Sequence, residues 1–217
     1  MPKLRVHNIS VSLDGYAAGP NQSLDNPQGV GGSGLHEWAF ATKAGRVTHG
    51  LEGGEEGVDD QFVAMGDAGI GATIMGRNMF GPVRGPWGSD EWTGWWGDNP
   101  PFHHPVFVLT HHPRSSIVMQ GGTEFHFVDN GIAAALEQAY EAADGGDVRI
   151  GGGPGAIQQY LGAGLVDEMN LAIVPILLGS GQRFFDHLDG GPHGYECVEL
   201  TASPSVAHVR FSRSSRL

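Results

Sequence analysis

The run VRIGGGPGAIQQY at residues 148–160 constrains the chain more than any other. Val148 and Ile150 belong to a strand that breaks into three successive glycines. Pro154 then stands at a first helical position, where its missing N–H costs nothing. Ala156/Tyr160 and Ile157/Leu161 are i,i+4 apolar pairs that turn one stripe of a helix inward. Further strands are expected over residues 4–13, 72–75, 106–109, 124–128 and 169–178, the last apolar on both faces in its second half, as in a covered central strand. Helices are expected at residues 35–42, from Asp59-Asp60 onward, and over residues 131–143, where Asp129 or Asn130 would cap the start. Residues 195–200 and 206–213 read as a closing antiparallel pair around Ser203-Pro204. Strands alternating with helices, then a hairpin, give one α/β domain over residues 1–217: a mostly parallel sheet of about eight strands with an antiparallel C-terminal edge. Residues 78–105 hold four tryptophans without a period and read as a long structured loop, a kind that is uncommon unless functional.

Glycine removes the Cβ, so backbone N–H groups can approach a ligand, and the helix that follows offers unpaired donors and a positive dipole end. Residues 150–156 therefore read either as a pyrophosphate cradle or as a tight strand–helix crossover in which small residues only permit packing. Gly151, Gly153 and Ala156 fit G-x-G-x-x-A. The acidic residue that a Rossmann unit places at the end of its next strand is missing, and so is a GxxxxGK[ST] loop. In a parallel sheet the carboxyl ends of the strands share one rim, which brings Gly76-Arg77 and Thr110-His111 to the same groove as the glycines. A guanidinium, a hydroxyl and a glycine-backed helix terminus suit an adenine dinucleotide with an extra phosphate.

The formal net charge of −12 and the lack of any Lys/Arg run argue against nucleic acid and anionic membranes as partners. Cys197 is the single cysteine, so no intramolecular disulfide or cysteine zinc site can form, and a reducing compartment fits. The N-terminal residues lack the apolar run of a signal peptide and no 18 apolar residues are consecutive, so the expected location is the cytoplasm. His103-His104 and His111-His112 are adjacent pairs, whose members point apart in a strand, and no metal is assigned to them.

The segments VSLDGYAAG, IMGRNMF, VLTHHP, RIGGGPGAIQQYL and LVDEMNLAIVPILLGSGQRFF, in this order over nearly the whole chain, resemble the dihydrofolate reductase superfamily. The resemblance is to the branch typified by the C-terminal reductase domain of bacterial riboflavin-biosynthesis deaminase/reductase proteins. It implies a three-layer dihydrofolate reductase-like fold, with residues 19–57 as an insertion of loop and helix. It also implies NADPH as cofactor, with Gly76 and Arg77 near the 2′-phosphate or pyrophosphate and Thr110 and His111 flanking the adenosine. Gly151, Gly152, Gly153, Gly155 and Ala156 would lie under the pyrophosphate. Met79 departs from the pattern, since the reductases usually place there a threonine that hydrogen-bonds phosphate. The implied activity is hydride transfer to a pterin- or aminouracil-like heterocycle or its ribosyl imine. A non-catalytic dinucleotide- or flavin-binding module on the same fold is the alternative, and family members commonly form homodimers.

An imine that accepts hydride must be protonated or polarised, so one acid with a raised pKa is expected beside the nicotinamide. Asp14, in SLDG, resembles a riboflavin-pathway motif and also suits a plain Asp-Gly turn. Asp60 falls where dihydrofolate reductases carry their substrate-binding carboxylate, and also where an aspartate caps a helix. His36 and Trp38 follow the loop NPQGVGGSG, which would hang over the substrate as a lid, although core packing explains Trp38 equally well. Trp87, Trp92, Trp95 and Trp96 would stack on a heterocycle, brace the loop or form a dimer contact.

Overall fold

A computed structural model describes residues 1–81, 84–88, 91–188 and 194–214. Strand β1 (Leu4–Ser12) and the short β2 (Tyr16–Ala18) are followed by helices α1 (Glu37–Ala41), α2 (Lys43–Thr48) and α3 (Val58–Asp67). Then come β3 (Ile70–Gly76), the single turn α4 (Arg77–Phe80), β4 (Pro105–Leu109), β5 (Ile117–Val118) and β6 (Glu124–Val128). The second half holds α5 (Ile132–Ala142), β7 (Asp147–Gly152), α6 (Pro154–Gly162), β8 (Glu168–Val174), β9 (Gln182–Arg183), β10 (Tyr195–Ala202) and β11 (Ala207–Arg213).

Nine strands form one sheet in the order β10-β11-β8-β1-β7-β3-β4-β6-β5. The six from β8 to β6 are parallel; β11 and β10 at one edge, and β5 at the other, are antiparallel. The second antiparallel edge, the separate β2–β9 pair and helix α2 go beyond the sequence expectation. Asp129 and Asn130 do not cap α5, which starts from Gly131 at a φ of 95° without a side-chain cap. Among the described residues no helix is long and apolar enough to cross a membrane.

Alternation sorts the side chains between two faces. Leu4, Val6, Ile74, Val148, Ile150, Met169 and Leu171 bury one face with Leu136 and Ala139 of α5 and Ile157 and Tyr160 of α6. The other face carries two separate clusters. Ala172 and Val174 pack with Leu35, Trp38 and Val63, while Met75, Val106 and Val108 pack with Phe80, Phe102 and Phe125 and the tryptophan-rich loop. Between these clusters, β1 and β7 floor a gap.

The floor is irregular by construction. The pairing of β1 with β8 slips between Val6 and Ile9, where Asn8 adopts a φ of 57°. A bulge there needs its side chain anchored, and Asn8 donates to the Phe62 carbonyl at 3.0 Å and accepts from Asn170 at 2.8 Å.

Helix α5 sits close enough to β3 to exclude a side chain. A Cβ on Gly71 would lie 2.3 Å from the Ala143 carbonyl oxygen. Gly71→Ala is expected to destabilise the fold by about 1–3 kcal/mol through overpacking, read as a lower urea midpoint with an unchanged slope.

Candidate functional site

Two recesses meet at the turn between β7 and α6. The gap over β1 and β7 is a cavity of about 890 Å³, within the size range of ligand pockets. Its walls come from the bulge (His7, Asn8), from α1 and α2 with their flanks (His36, Phe40, His49), and from the loop residues Trp95, Trp96 and His103. The second recess, a groove of about 440 Å³, runs along the carboxyl ends of β3, β4, β6 and β7. Gly76, Arg77, Thr110, His111, Gly155 and Ala156 line it, and Gly153 lines both recesses.

The glycines of the turn fall into two sets. A Cβ on Gly151 would meet Thr73 at 3.3 Å and Met79 at 3.4 Å, and one on Gly152, where φ is 138°, would meet the Met79 sulfur at 3.2 Å. A Cβ on Gly76 would touch the Ala156 Cβ at 3.4 Å, so this pair sets how closely strand and helix approach. On Gly153 and Gly155 a Cβ would meet nothing within 4 Å. Packing thus accounts for the first set and not for the second, whose bare backbone opens at the N-terminus of α6. The Gly152–Gly153 peptide is cis.

Arg77 dominates the groove. Its guanidinium lies 3.2 Å from the centre of the Trp87 ring, donates to Thr110 Oγ1 and to the Gly85 carbonyl at 3.0 Å each, and leaves Nε buried with no hydrogen-bond partner among the described residues. Burial, then the nearby Arg84 and Arg114, push its pKa down from the ordinary arginine value. Such crowding of like charge in an acidic protein is relieved by a bound anion. The Thr110 hydroxyl also bonds the backbone of His112 at 3.2 and 3.1 Å, so it orients Arg77. His111 is exposed on the rim.

Residues 2–206 match the family described as the RibD C-terminal domain. The chain belongs to the RibD C-terminal domain family. A comparison with curated proteins finds no match. Among solved structures, a candidate riboflavin biosynthesis protein from Shewanella sp. PV-4 shares 23% identity over 99% of both chains with a TM-score of 0.60. A diaminohydroxyphosphoribosylaminopyrimidine deaminase/5-amino-6-(5-phosphoribosylamino)uracil reductase from Thermotoga maritima matches at 14% identity and a TM-score of 0.53, over 98% of this chain but 56% of its own. Dihydrofolate reductase from Enterococcus faecalis, solved with NADP(H) and RAB-propyl, matches at 12% identity over 97% and 96% of the two chains with a TM-score of 0.51. The shared fold is the dihydrofolate reductase-like one that the sequence segments resemble.

Within this RibD-type frame the candidate chemical groups separate. His36 lines the cavity, makes no side-chain hydrogen bond among the described residues, and is driven by burial to a pKa of about 4, so it is neutral at pH 7. Trp38 does not line the cavity; it is buried, with its indole N–H donating to Ser10 Oγ at 2.9 Å. Asp60 stands in the first turn of α3, yet it accepts from the Ala44 N–H at 2.6 Å and so caps the neighbouring helix α2. Asp14 accepts from the Ser12 hydroxyl at 2.6 Å and from the N–H groups of Leu178 and Gly179 at 3.1 and 2.7 Å. The Ser12 bond, then those backbone donors, hold its pKa down to about 2, opposite to the raised acid expected, and neither carboxylate lines the cavity.

Several wall residues escaped sequence reasoning. His7-Asn8 interrupts an apolar strand with two polar residues, which is the signal of the bulge. His49 is the C-terminal cap of α2, a helix beyond the sequence expectation. Trp95 and Trp96 are wall residues, whereas Trp87 and Trp92 brace the loop, their indoles donating to the His112 and Phe80 carbonyls. His103 and His104 are anchors for the same loop, on the Gly121 carbonyl and the Thr73 hydroxyl, each at 2.8 Å.

Asp14 makes its own test. A carboxyl with a depressed folded pKa contributes stability above its unfolded value of 3.8 and loses it as the pH falls toward about 2. Asp14→Asn should therefore be less stable than the parent at neutral pH, and thermal unfolding curves should show the difference closing between pH 4 and pH 2.

Proposed function

We propose that the chain is an NADPH-dependent reductase that transfers a hydride to a pterin- or aminouracil-like heterocycle or its ribosyl imine. Membership of the RibD C-terminal domain family makes it an oxidoreductase. The carrying observation is that Gly153 lines both recesses. Gly153 and Gly155 would hold the phosphates of a dinucleotide on their open backbone, the groove residues would take its adenosine end and the cavity would receive the nicotinamide. The unpaired Arg77 Nε and the uncrowded glycines fit such a ligand.

When bound, reduced nicotinamide supplies the hydride. Gly153 and Gly155 present backbone to the phosphates, Arg77 supplies charge, and Trp87 and Thr110 hold Arg77 flat against the groove. Met79, packed on Gly151 and Gly152, gives the phosphates no hydroxyl. Trp95 and Trp96 offer the heterocycle an apolar wall, and His36 hydrogen-bonds it as a neutral imidazole. With both carboxylates elsewhere, the proton for the accepting atom would come from water, and the neutral His36 imidazole would orient that water or the heterocycle by a hydrogen bond. A cavity this size beside the turn suits a reductase better than a module that only holds a dinucleotide.

Arg77→Ala should weaken NADPH more than NADH by about 1–3 kcal/mol, the worth of a lost charge-assisted bond; equal weakening of the two removes Arg77 from the 2′-phosphate. Gly155→Ala should not lower the melting temperature, because nothing lies within 4 Å of the new Cβ, while weakening both cofactors by roughly tenfold or about 1.4 kcal/mol. Titration of tryptophan fluorescence with each cofactor, alongside melting curves, reads both outcomes.

We further propose a cytoplasmic homodimer. Strand β10 is bonded on one side only, and its Val198 and Leu200 are 51% and 70% exposed. Cys197 on the same strand is exposed and free, as in a reducing compartment. Light scattering at micromolar concentration should report twice the 22.9 kDa chain mass; a value of one chain mass refutes the dimer.

A further inference from the structure

We infer that the cavity takes an uncharged, unphosphorylated flat heterocycle, unlike the phosphoribosyl substrate named for the Thermotoga relative. This rests on the reductase reading above and specifies its substrate. The two recesses divide the charges between them. Arg77, Arg84 and Asp129 line the groove and Arg114 lies over Trp87, whereas the cavity wall, among the described residues, contains neither Lys nor Arg and neither Asp nor Glu.

The arginines on the two floor strands are already committed. Arg5 of β1 donates to the Ala68 and Met65 carbonyls at 2.8 and 2.7 Å and pairs with Asp147 at 3.3 Å, and Arg149 of β7 pairs with Asp67. The titratable groups of the wall are imidazoles. Burial and the Arg5 charge hold His7 near 4, burial alone does the same for His36, His103 is tied through Nδ1 to Gly121, and His49 packs against Phe40. A phosphate brought here would lose its water without gaining a counter-charge, inside a protein of net charge −12. A cationic ring would find no carboxylate.

A neutral flat ring is provided for. Trp95, Trp96 and Phe40 supply aromatic surface, and His36 supplies an uncommitted polar group. Ser10 adds another: its oxygen accepts from Trp38, which leaves the hydroxyl proton for a ligand. Few polar groups on an apolar wall is the pattern of a site that fixes orientation by hydrogen bonds.

The test is calorimetric binding of a matched pair, an aminouracil riboside and its 5′-phosphate, to the protein saturated with NADP⁺ at pH 8, where an ordinary imidazole is neutral. The riboside is expected to bind as tightly as its phosphate or more tightly. Gln28→Arg, which plants a cation in the cavity wall, should reverse the order and favour the phosphate by about tenfold. A phosphate that tightens binding to the parent protein by about tenfold or more overturns the inference. Failure of both ligands to bind at millimolar concentration overturns it too. NADPH binding, read separately by tryptophan fluorescence, reports on the reductase reading: its absence defeats that reading, whereas phosphate preference with intact NADPH binding defeats only the inference.

Discussion

Between Gly152 and Gly153 the main chain passes from a crowded place to an open one. Under the Met79 sulfur a Cβ on Gly152 would stand at 3.2 Å, while one residue later nothing lies within 4 Å. Strand β7 must reach the rim beside β1 and β3, and α6 must start at once to cover the opposite face with Ile157 and Tyr160. Three glycines are what lets a chain make that change of direction under a side chain and still leave N–H groups uncovered. The cavity and the groove are the two sides of this junction, which is why Gly153 belongs to both.

The electrostatics follow the same division. An acidic chain that binds an anion has to concentrate its cations, and here three guanidinium groups gather around Trp87 and the groove strongly enough for Arg77 to feel the other two. The cost of crowding is offset by cation–π contact and by the Thr110 hydroxyl. On the far side of the junction, desolvation acts on the histidines and keeps His7 and His36 uncharged. One recess is therefore lined by Arg77 and Arg84 with Asp129, while the wall of the other, among the described residues, holds no lysine, arginine or carboxylate.

What was legible in the sequence is what rests on period and turn chemistry. The strand–glycine–helix unit, the closing hairpin and the convergence of Arg77, Thr110 and the glycines on one rim all follow from alternation, i,i+4 pairs and parallel order, whereas the strand expected over residues 169–178 stops at Val174: its first half is the part buried on both faces, and Leu177 is exposed. What was not legible depends on long-range partners. The β2–β9 pair joins residues more than 160 positions apart, and strands of two or three residues carry no period. Helix α2 is short; its first N–H groups are capped by Thr42 and, at Ala44, by Asp60 sixteen positions on. SLDG looks the same whether its carboxylate is a raised acid or an anion held by Ser12, Leu178 and Gly179, because two of those three partners come from the other end of the chain.

Asp60 shows how a substrate wall can change while the fold stays. Its position is the one at which the resemblance to dihydrofolate reductases implies a carboxylate facing the substrate. Here residues 19–57 place two short helices between that carboxylate and the cavity, and the carboxylate is consumed as a cap on the second of them. Capping by a side chain from α3 fixes α2 against its neighbour, and α2 with its flank then presents Val47, Thr48 and His49 to the cavity. The α1 side contributes His36 and Phe40. The carboxylate here supports the wall, and the surface that α1, α2 and their flanks turn to the cavity holds no carboxylate. The groove lies along β7, β3, β4 and β6, on the side of β1 away from α1 and α2, so such an exchange leaves its backbone in place. The inserted helices can therefore vary the cavity wall without disturbing the groove.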